Sequence, residues 1–234
     1  MRTLLATITG LALALAASDA VACGLTPPIG PSGLPTVCRD QAVRVHGSVA
    51  AGGTSTRIDY GAGGADLVQA ATVASIDVQP LDALTLTASG GASLGGSLRY
   101  LGDAYDLGPG WIAGVGVSYR LLGRGVLPFV APSFSYSIAR SSISGPAQPE
   151  TAFEARDWRA GLVVGKAFGT VAPFVFARYF GGGSEFALAG HGSDHYRYHA
   201  GAGAALALSD RFDALVEIAA LGERRATFSV GYSF

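Results

Sequence analysis

Long hydrophobic runs are missing from this sequence, although its composition is apolar. Hydrophobic residues make up 49%, charged residues only 14%, and the mean hydropathy is +0.36. The lack of any apolar stretch of about 18 residues excludes ordinary transmembrane helices. An ordinary secreted soluble domain would carry more charge. A high apolar content without long apolar runs is explained if apolar side chains occupy every second position of membrane-crossing strands.

Charge of either sign is scarce, and lysine is nearly absent. The formal net charge is −1, which argues against a nucleic-acid partner, because phosphate binding needs a concentrated basic surface. Lys166 is the only lysine, and the other basic residues are arginines. Arginine forks suit paired sites inside a narrow lumen, and a bias in genomic base composition is an equally open explanation of the same skew.

Only two cysteines occur, Cys23 and Cys38, and both follow a segment typical of an export signal. Arg2 precedes an apolar stretch from Leu4 to Ala17, and Ala20-Val-Ala22 is an A-x-A processing site. We therefore predict a signal peptide over residues 1–22 and export of the mature chain.

The two cysteines belong to a proline-rich periplasmic lead, predicted over residues 23–41. Since export delivers them to an oxidising compartment, a disulfide between Cys23 and Cys38 is the first interpretation. A lipidated Cys23 is the open alternative, although Ala20 stands where lipoprotein signals usually carry leucine. Two cysteines are too few to hold zinc, and neither a metal nor a cofactor is predicted.

From residue 42 onward, segments of about ten alternating residues recur, the length that a tilted strand needs to cross a bilayer. The terminal strand shows the pattern most clearly, with Phe228, Val230, Tyr232 and Phe234 on one face and small polar residues or glycine on the other. About ten segments are present. We predict an all-β fold over residues 42–234, a closed antiparallel transmembrane barrel of about ten strands, with eight as the alternative.

The connections between these segments fall into two classes that alternate along the chain. Residues 79–82, 122–125, 167–170 and 209–213 are predicted as short turns. Residues 52–64, 95–110, 140–155 and 181–194 are glycine-rich or polar and are predicted as long loops, with a brief fifth at residues 222–225. Outer-membrane barrels combine short periplasmic turns with longer outer loops, and an even strand number leaves both termini in the periplasm.

Together, the export signal, the alternating segments and the aromatic terminal strand resemble the small outer-membrane β-barrel superfamily of Gram-negative bacteria, which contains opacity-type and OmpA-like barrels. The resemblance spans residues 42–234 and implies an integral location in the cell outer membrane, in contact with its lipid. It also implies that Phe228, Val230, Tyr232 and Phe234 form an assembly signal for the barrel-assembly machinery.

Side-chain parity predicts a set of charged residues that face the lumen. A narrow lumen would force opposite charges to pair, because single buried charges are costly. One interpretation is an ion-pair plug that fills the barrel, and the alternative is a narrow channel whose arginines favour small anions. The predicted lumen residues are Arg44, His46, Asp77, Arg120, Asp157, Arg159, Arg178, His195, Arg197, His199 and Glu217.

A cluster that resembles catalytic machinery lies near the predicted outer rim, in His191-Gly-Ser193-Asp194-His195, with His199 close behind. Serine, histidine and aspartate can form a hydrolase triad. However, Asp194 and His195 are adjacent on a strand and would point to opposite faces. We therefore expect no enzyme, and a surface hydrolase ranks third. A structural or surface-interaction role ranks first, with an extracellular ligand bound through the loops, and a narrow channel ranks second.

Overall fold

The computed structural model describes residues 44–81, 83–121, 128–145, 148–187, 189–209 and 211–234. These residues form β-strands joined by turns, and none of them belongs to a helix capable of crossing a membrane. The predicted signal peptide, the proline-rich lead, Cys23 and Cys38 lie outside the described residues and stay predictions.

Ten antiparallel strands hydrogen-bond in a closed ring, which confirms the predicted barrel. The described residues contain eleven strands in all: β1 (Arg44–Tyr60), β2 (Gly63–Leu81), β3 (Leu84–Tyr100), β4 (Asp103–Tyr119), β5 (Phe129–Gly145), β6 (Gln148–Gly165), β7 (Val171–Phe186), β8 (Gly190–Asp194), β9 (Tyr198–Ala207), β10 (Phe212–Gly222) and β11 (Arg224–Ser233). The ring of ten runs from β1 to β7, continues through β9, β10 and β11, and closes where β11 pairs with β1, so β8 is not part of it.

The barrel has two distinct ends. We call the end that holds Arg44 and Phe234 the near end, and the end that holds the β1–β2 and β3–β4 turns the far end. Strands β1 to β7 contain 16 to 19 residues, whereas β9, β10 and β11 contain 10 or 11. Because about 9–11 residues cross a bilayer, the first seven strands continue well beyond it at the far end.

Strand β8 closes the far end above the three short strands. It pairs with β7 through Gly183 to Phe186 and with β1 through Ile58 to Tyr60, so it takes the place that β9, β10 and β11 leave open. The wall is therefore ten-stranded near the termini and eight-stranded at the far end.

The structure corrects the four long loops that the sequence predicts. Residues 52–64, 95–110, 140–155 and 181–194 are mostly paired strand, and the β1–β2 and β3–β4 connections are only two residues long. The glycines and polar residues of these segments are compatible with strands that leave the membrane, because their outward side chains meet water there rather than lipid.

An apolar band surrounds the outside of the ten-stranded part. Its side chains are exposed because they face outward, and each comes from an alternate position of its strand; examples are Val49, Ile76, Leu86, Val115, Phe134, Leu162, Val175, Ile218, Phe228 and Val230. Trp111, Tyr136, Tyr179 and Tyr198 mark its far border, where transmembrane barrels carry aromatic girdles. Beyond the border, outward positions become charged, as at Arg57, Asp59, Asp66, Arg99, Asp106, Arg156 and Glu185.

Inside the far end the polarity is reversed. Eleven buried residues form a core that we call the far-end core: Ile58, Tyr60, Ala65, Leu67, Leu98, Tyr100, Tyr105, Leu107, Ile143, Phe153 and Phe186. Phe186 contacts three tyrosines edge-on, with ring centroids 5.2 to 6.3 Å apart. This apolar interior was not predicted from the sequence, which assigned most of these residues to loops. It forms because a barrel in water needs its apolar side chains inside.

Candidate functional site

The lumen of the barrel is filled by alternating apolar and charged layers. The inward side chains of β7 pass through these layers from the near end to the far end. Phe174 and Phe176 belong to an apolar near-end core, Arg178 is charged, and Phe186 lies in the far-end core. The near-end core comprises Phe129, Val163, Ala172, Phe174, Phe176, Ala205, Leu215 and Ala219. We call the charged level between the two cores the ion-pair layer; it contains Asp157, Arg159, Arg178, His199, Glu217, Glu223 and Arg225.

Two arginine–carboxylate forks form the centre of the ion-pair layer. Arg178 donates two hydrogen bonds of 2.7 Å to Glu217, and both side chains are almost completely buried. Arg159 donates to Glu223 over 2.8 and 3.1 Å and also pairs with Asp157. Bidentate pairs of this kind combine strong attraction with fixed geometry, which is what a buried charge requires.

Aromatic rings and a histidine enclose these forks. The Arg178 guanidinium lies 4.2 Å from the Phe176 ring centroid, and that of Arg159 lies 5.0 Å from Phe180. Such cation–π contacts are favourable where water is excluded. His199 is fully buried between the two arginines, with its Nε2 3.1 Å from Arg178 and its Nδ1 3.5 Å from Arg159.

A second polar cluster lies at the near end of the lumen. The His46 ring contacts Asp213 through Nε2 at 2.9 Å and Asp77 through Nδ1 at 3.4 Å. The Thr87 hydroxyl donates to Asp77 over 2.6 Å. These residues come from β1, β2, β3 and β10, so the cluster ties together strands on both sides of the seam between the first and last strands.

Seven of the predicted lumen residues lie inside the barrel in the two clusters. They are His46, Asp77, Asp157, Arg159, Arg178, His199 and Glu217. Arg120 follows β4 and is half-buried, and its backbone N–H donates to the Ala83 carbonyl. The backbone of Arg44 begins β1, but its side chain lies outside what the structure describes.

His195 and Arg197 are placed differently from the prediction. Both are exposed in the connection between β8 and β9, and His195 contacts the outward-facing Asp59 at 2.8 Å. The predicted alternation treated residues 195–208 as one strand, but the chain passes from β8 to β9 between residues 194 and 198. His195 continues the pairing of β8 with β1, where its N–H donates to the Arg57 carbonyl, and the Arg197 carbonyl accepts from Phe180 of β7.

Three lumen residues were missed from the sequence, namely Asp213, Glu223 and Arg225. Asp213 was assigned to a short turn, and Glu223 and Arg225 to a brief loop. In the structure Asp213 and Arg225 belong to strands, and Glu223 lies between β10 and β11. The alternation of side chains along β10 and β11 could have identified two of them. Asp213 shares its face with Glu217, and Arg225 shares its face with Thr227 and Ser229.

The rim cluster predicted from the sequence is divided by the fold. His199 is buried in the lumen, whereas His195 is oriented by Asp59 on the outside. Ser193 lies opposite Asp59 in the β1–β8 register. Among the described residues, no hydrogen bond joins the Ser193 hydroxyl to the His195 ring, so the contacts present form a histidine–carboxylate pair.

The predicted assembly strand closes the ring. In β11, Phe228 and Val230 pair with Ala51 and Val49 of β1, and their side chains face outward. Phe234 extends past the strand, and its N–H donates to the Val45 carbonyl. The geometry shows strand closure, and recognition by assembly machinery stays a prediction.

No family model matches this chain, and no curated protein matches it. Solved structures that resemble it include the outer membrane protease OmpT from Escherichia coli, at 14% identity over 82% of this chain and 96% of that one, with a TM-score of 0.48. The translocator domain of the autotransporter NalP from Neisseria meningitidis has 14% identity over 84% and 90% of the two chains and a TM-score of 0.48. The N-terminal β-barrel domain of Pseudomonas aeruginosa OprF has 16% identity over 81% and 97%, with a TM-score of 0.31. None of these likenesses carries an activity over to this chain.

The closed ring, the apolar exterior and the aromatic border together identify a transmembrane β-barrel. Closure pairs the edge strands β1 and β11, whose backbone groups would otherwise face lipid, and the exposed valines, leucines and phenylalanines provide the lipid contact. The protein is an integral β-barrel of the outer membrane.

Proposed function

We propose that this protein is a sealed outer-membrane barrel with a surface-interaction role, which holds a rigid extension outside the cell. The observation that carries the proposal is the filled lumen, in which two apolar cores enclose the ion-pair layer. A solute would have to displace both cores and separate two buried arginine forks, which opposes passive diffusion.

The far-end extension is suited to contact other molecules. Its wall is a continuous sheet supported by the far-end core, so its outward side chains are held in fixed positions. Many of the exposed ones are acidic, including Asp59, Asp66, Asp103, Asp106, Glu150 and Glu185. The proposed contacting surface is therefore a strand face and not the loops that the sequence suggested. No catalytic step is part of this function.

The sealed state is tested by conductance in planar lipid bilayers. We expect the purified wild-type barrel to show no stepwise current, because the far-end core blocks the axis. A Tyr60→Ala, Tyr105→Ala, Phe186→Ala variant removes three rings of that core, and it is expected to stay closed as well, because the ion-pair layer and the near-end core still fill the lumen.

A heat-modifiability gel serves as the folding control for this measurement, because a folded barrel migrates differently before and after boiling. Stepwise current from the folded wild type, lost on charge reversal of Arg178, would establish the narrow anion channel instead.

A further inference from the structure

A pocket of about 310 Å³ lies in the barrel wall beside the β8–β9 connection. Asp194 in its lining lies close enough to the ion-pair layer to interact electrostatically with Asp157, Arg159 and Glu223. Its lining residues come from β6, β7, β8 and that connection: Trp158, Gly181, Gly182, Gly183, His191, Asp194 and Arg197.

The glycines of β7 allow two rings to lie flat against the wall. A Cβ atom added to Gly181 would stand 3.1 Å from the Trp158 ring, and one added to Gly183 would stand 2.6 Å from Cε1 of His191. Trp158 is fixed from both sides, by a stacked contact with Phe134 at 6.5 Å and a tilted contact with Tyr179 at 5.6 Å between centroids. The aromatic side of the pocket is therefore preformed.

The pocket crosses the boundary between lipid and water. Phe134 and Tyr179 are exposed to the lipid-facing side, at and below the aromatic border. Arg197 and His191 lie beyond that border and are exposed as well. A molecule bound here must match both environments. It needs an apolar portion along the rings of Phe134, Trp158 and Tyr179 and a polar group that accepts hydrogen bonds.

We propose that this pocket binds the phosphorylated headgroup of an outer-leaflet membrane lipid, with Arg197 and His191 as donors and Trp158 against the adjoining apolar part. Membrane lipid is the molecule that lies at this depth around the barrel. A guanidinium matches phosphate in geometry as well as in charge, and aromatic side chains at the interface pack against the neck of a lipid.

The carboxyl of Asp194 makes this binding dependent on pH. Burial, together with the nearby carboxylates of Asp157 and Glu223, raises the pKa of Asp194 to about 7, against the lowering effect of Arg159 and Arg197. Below pH 7 the neutral carboxyl can donate a hydrogen bond to phosphate. Above pH 7 its charge repels phosphate. The carboxylate of Glu185 lies opposite His191 in the register and is not part of this change with pH.

Tryptophan emission gives a local readout of the pocket. The chain has two tryptophans, so a Trp111→Phe variant leaves Trp158 as the only reporter. The folded variant in detergent micelles is titrated with bisphosphorylated lipid A and, separately, with the same lipid after removal of its phosphates. We expect a saturable change for the phosphorylated lipid alone, weaker at pH 8.5 than at pH 6.

Arg197→Gln in the same background is expected to weaken this binding about tenfold or more, because it removes a charged hydrogen-bond donor. Arg224→Gln, at another exposed arginine, is the matched control and should bind as before. Equal titration by the dephosphorylated lipid, or an unchanged affinity in Arg197→Gln, would overturn the proposal. So would an equal loss in both arginine variants.

Discussion

A Glu217→Gln variant is expected to lose about 3–5 kcal/mol of unfolding free energy, because it leaves the buried Arg178 guanidinium without its counter-charge. The two side chains are joined by two hydrogen bonds of 2.7 Å, and Arg225 lies in the same buried layer. Neither guanidinium can reach water without disrupting the adjacent cores. Reversible urea unfolding of the barrel in lipid vesicles measures the loss.

Two further variants separate this effect from a general sensitivity to mutation. Glu154→Gln removes the partner of Arg156 in a solvent-exposed pair and should cost less than about 1 kcal/mol. Replacing both Arg178 and Glu217 by apolar residues of similar size should recover much of the lost stability. If Glu217→Gln costs no more than Glu154→Gln, the ion-pair layer does not hold the barrel together.

A Phe186→Ala variant is expected to lose about 3–5 kcal/mol, the usual cost of removing a buried aromatic ring that its surroundings cannot replace. Phe186 is 2% exposed and contacts Tyr60, Tyr100 and Tyr105. The loss should be concentrated at the far end, so protease cleavage there should increase before the membrane-embedded part unfolds.

Phe168→Ala is the matched control for this truncation. Phe168 is 52% exposed near the other end of the barrel, so its removal should cost about 1 kcal/mol or less. Equal destabilisation by the two truncations, or unchanged protease resistance in Phe186→Ala, would show that the extension does not depend on an interior core.

The two-residue period of the sequence was sufficient to predict the barrel and most of its inward and outward faces. Val115 and Val117 of β4 face outward and Ser118 faces inward, as their parity requires. The pattern succeeds because lipid and lumen impose opposite preferences on successive side chains over the whole membrane-crossing length.

The same pattern could not reveal where the barrel leaves the membrane. In β1, Val49 and Asp59 share the outward face, while Ser48 and Ile58 share the inward one. The period therefore continues unchanged while the polarity of each face reverses, because water replaces lipid outside. A search for apolar outward residues alone ends the strand early and assigns the remainder to a loop.

The sequence alone also could not predict which distant strands pair. Strand β8 closes the far end by pairing with β1, more than 130 residues earlier in the chain, as the pairing of Ile58 with Asp194 shows. Glu223 joins Arg159 across 64 positions. Parity indicates which residues face the lumen, but the level of each one along the axis depends on register and tilt, which a single sequence does not specify.

Spin labels on the outward face of β4 test most directly the claim that the barrel crosses the membrane and continues into water. In a chain with Cys23 and Cys38 replaced by serine, single cysteines at Val115 and Asp106 carry the labels, and the barrel is placed in lipid nanodiscs. We expect the label at position 115 to collide with oxygen and to be shielded from a water-soluble nickel complex, and the label at position 106 to show the reverse. Equal access of both labels to the nickel complex would contradict the account.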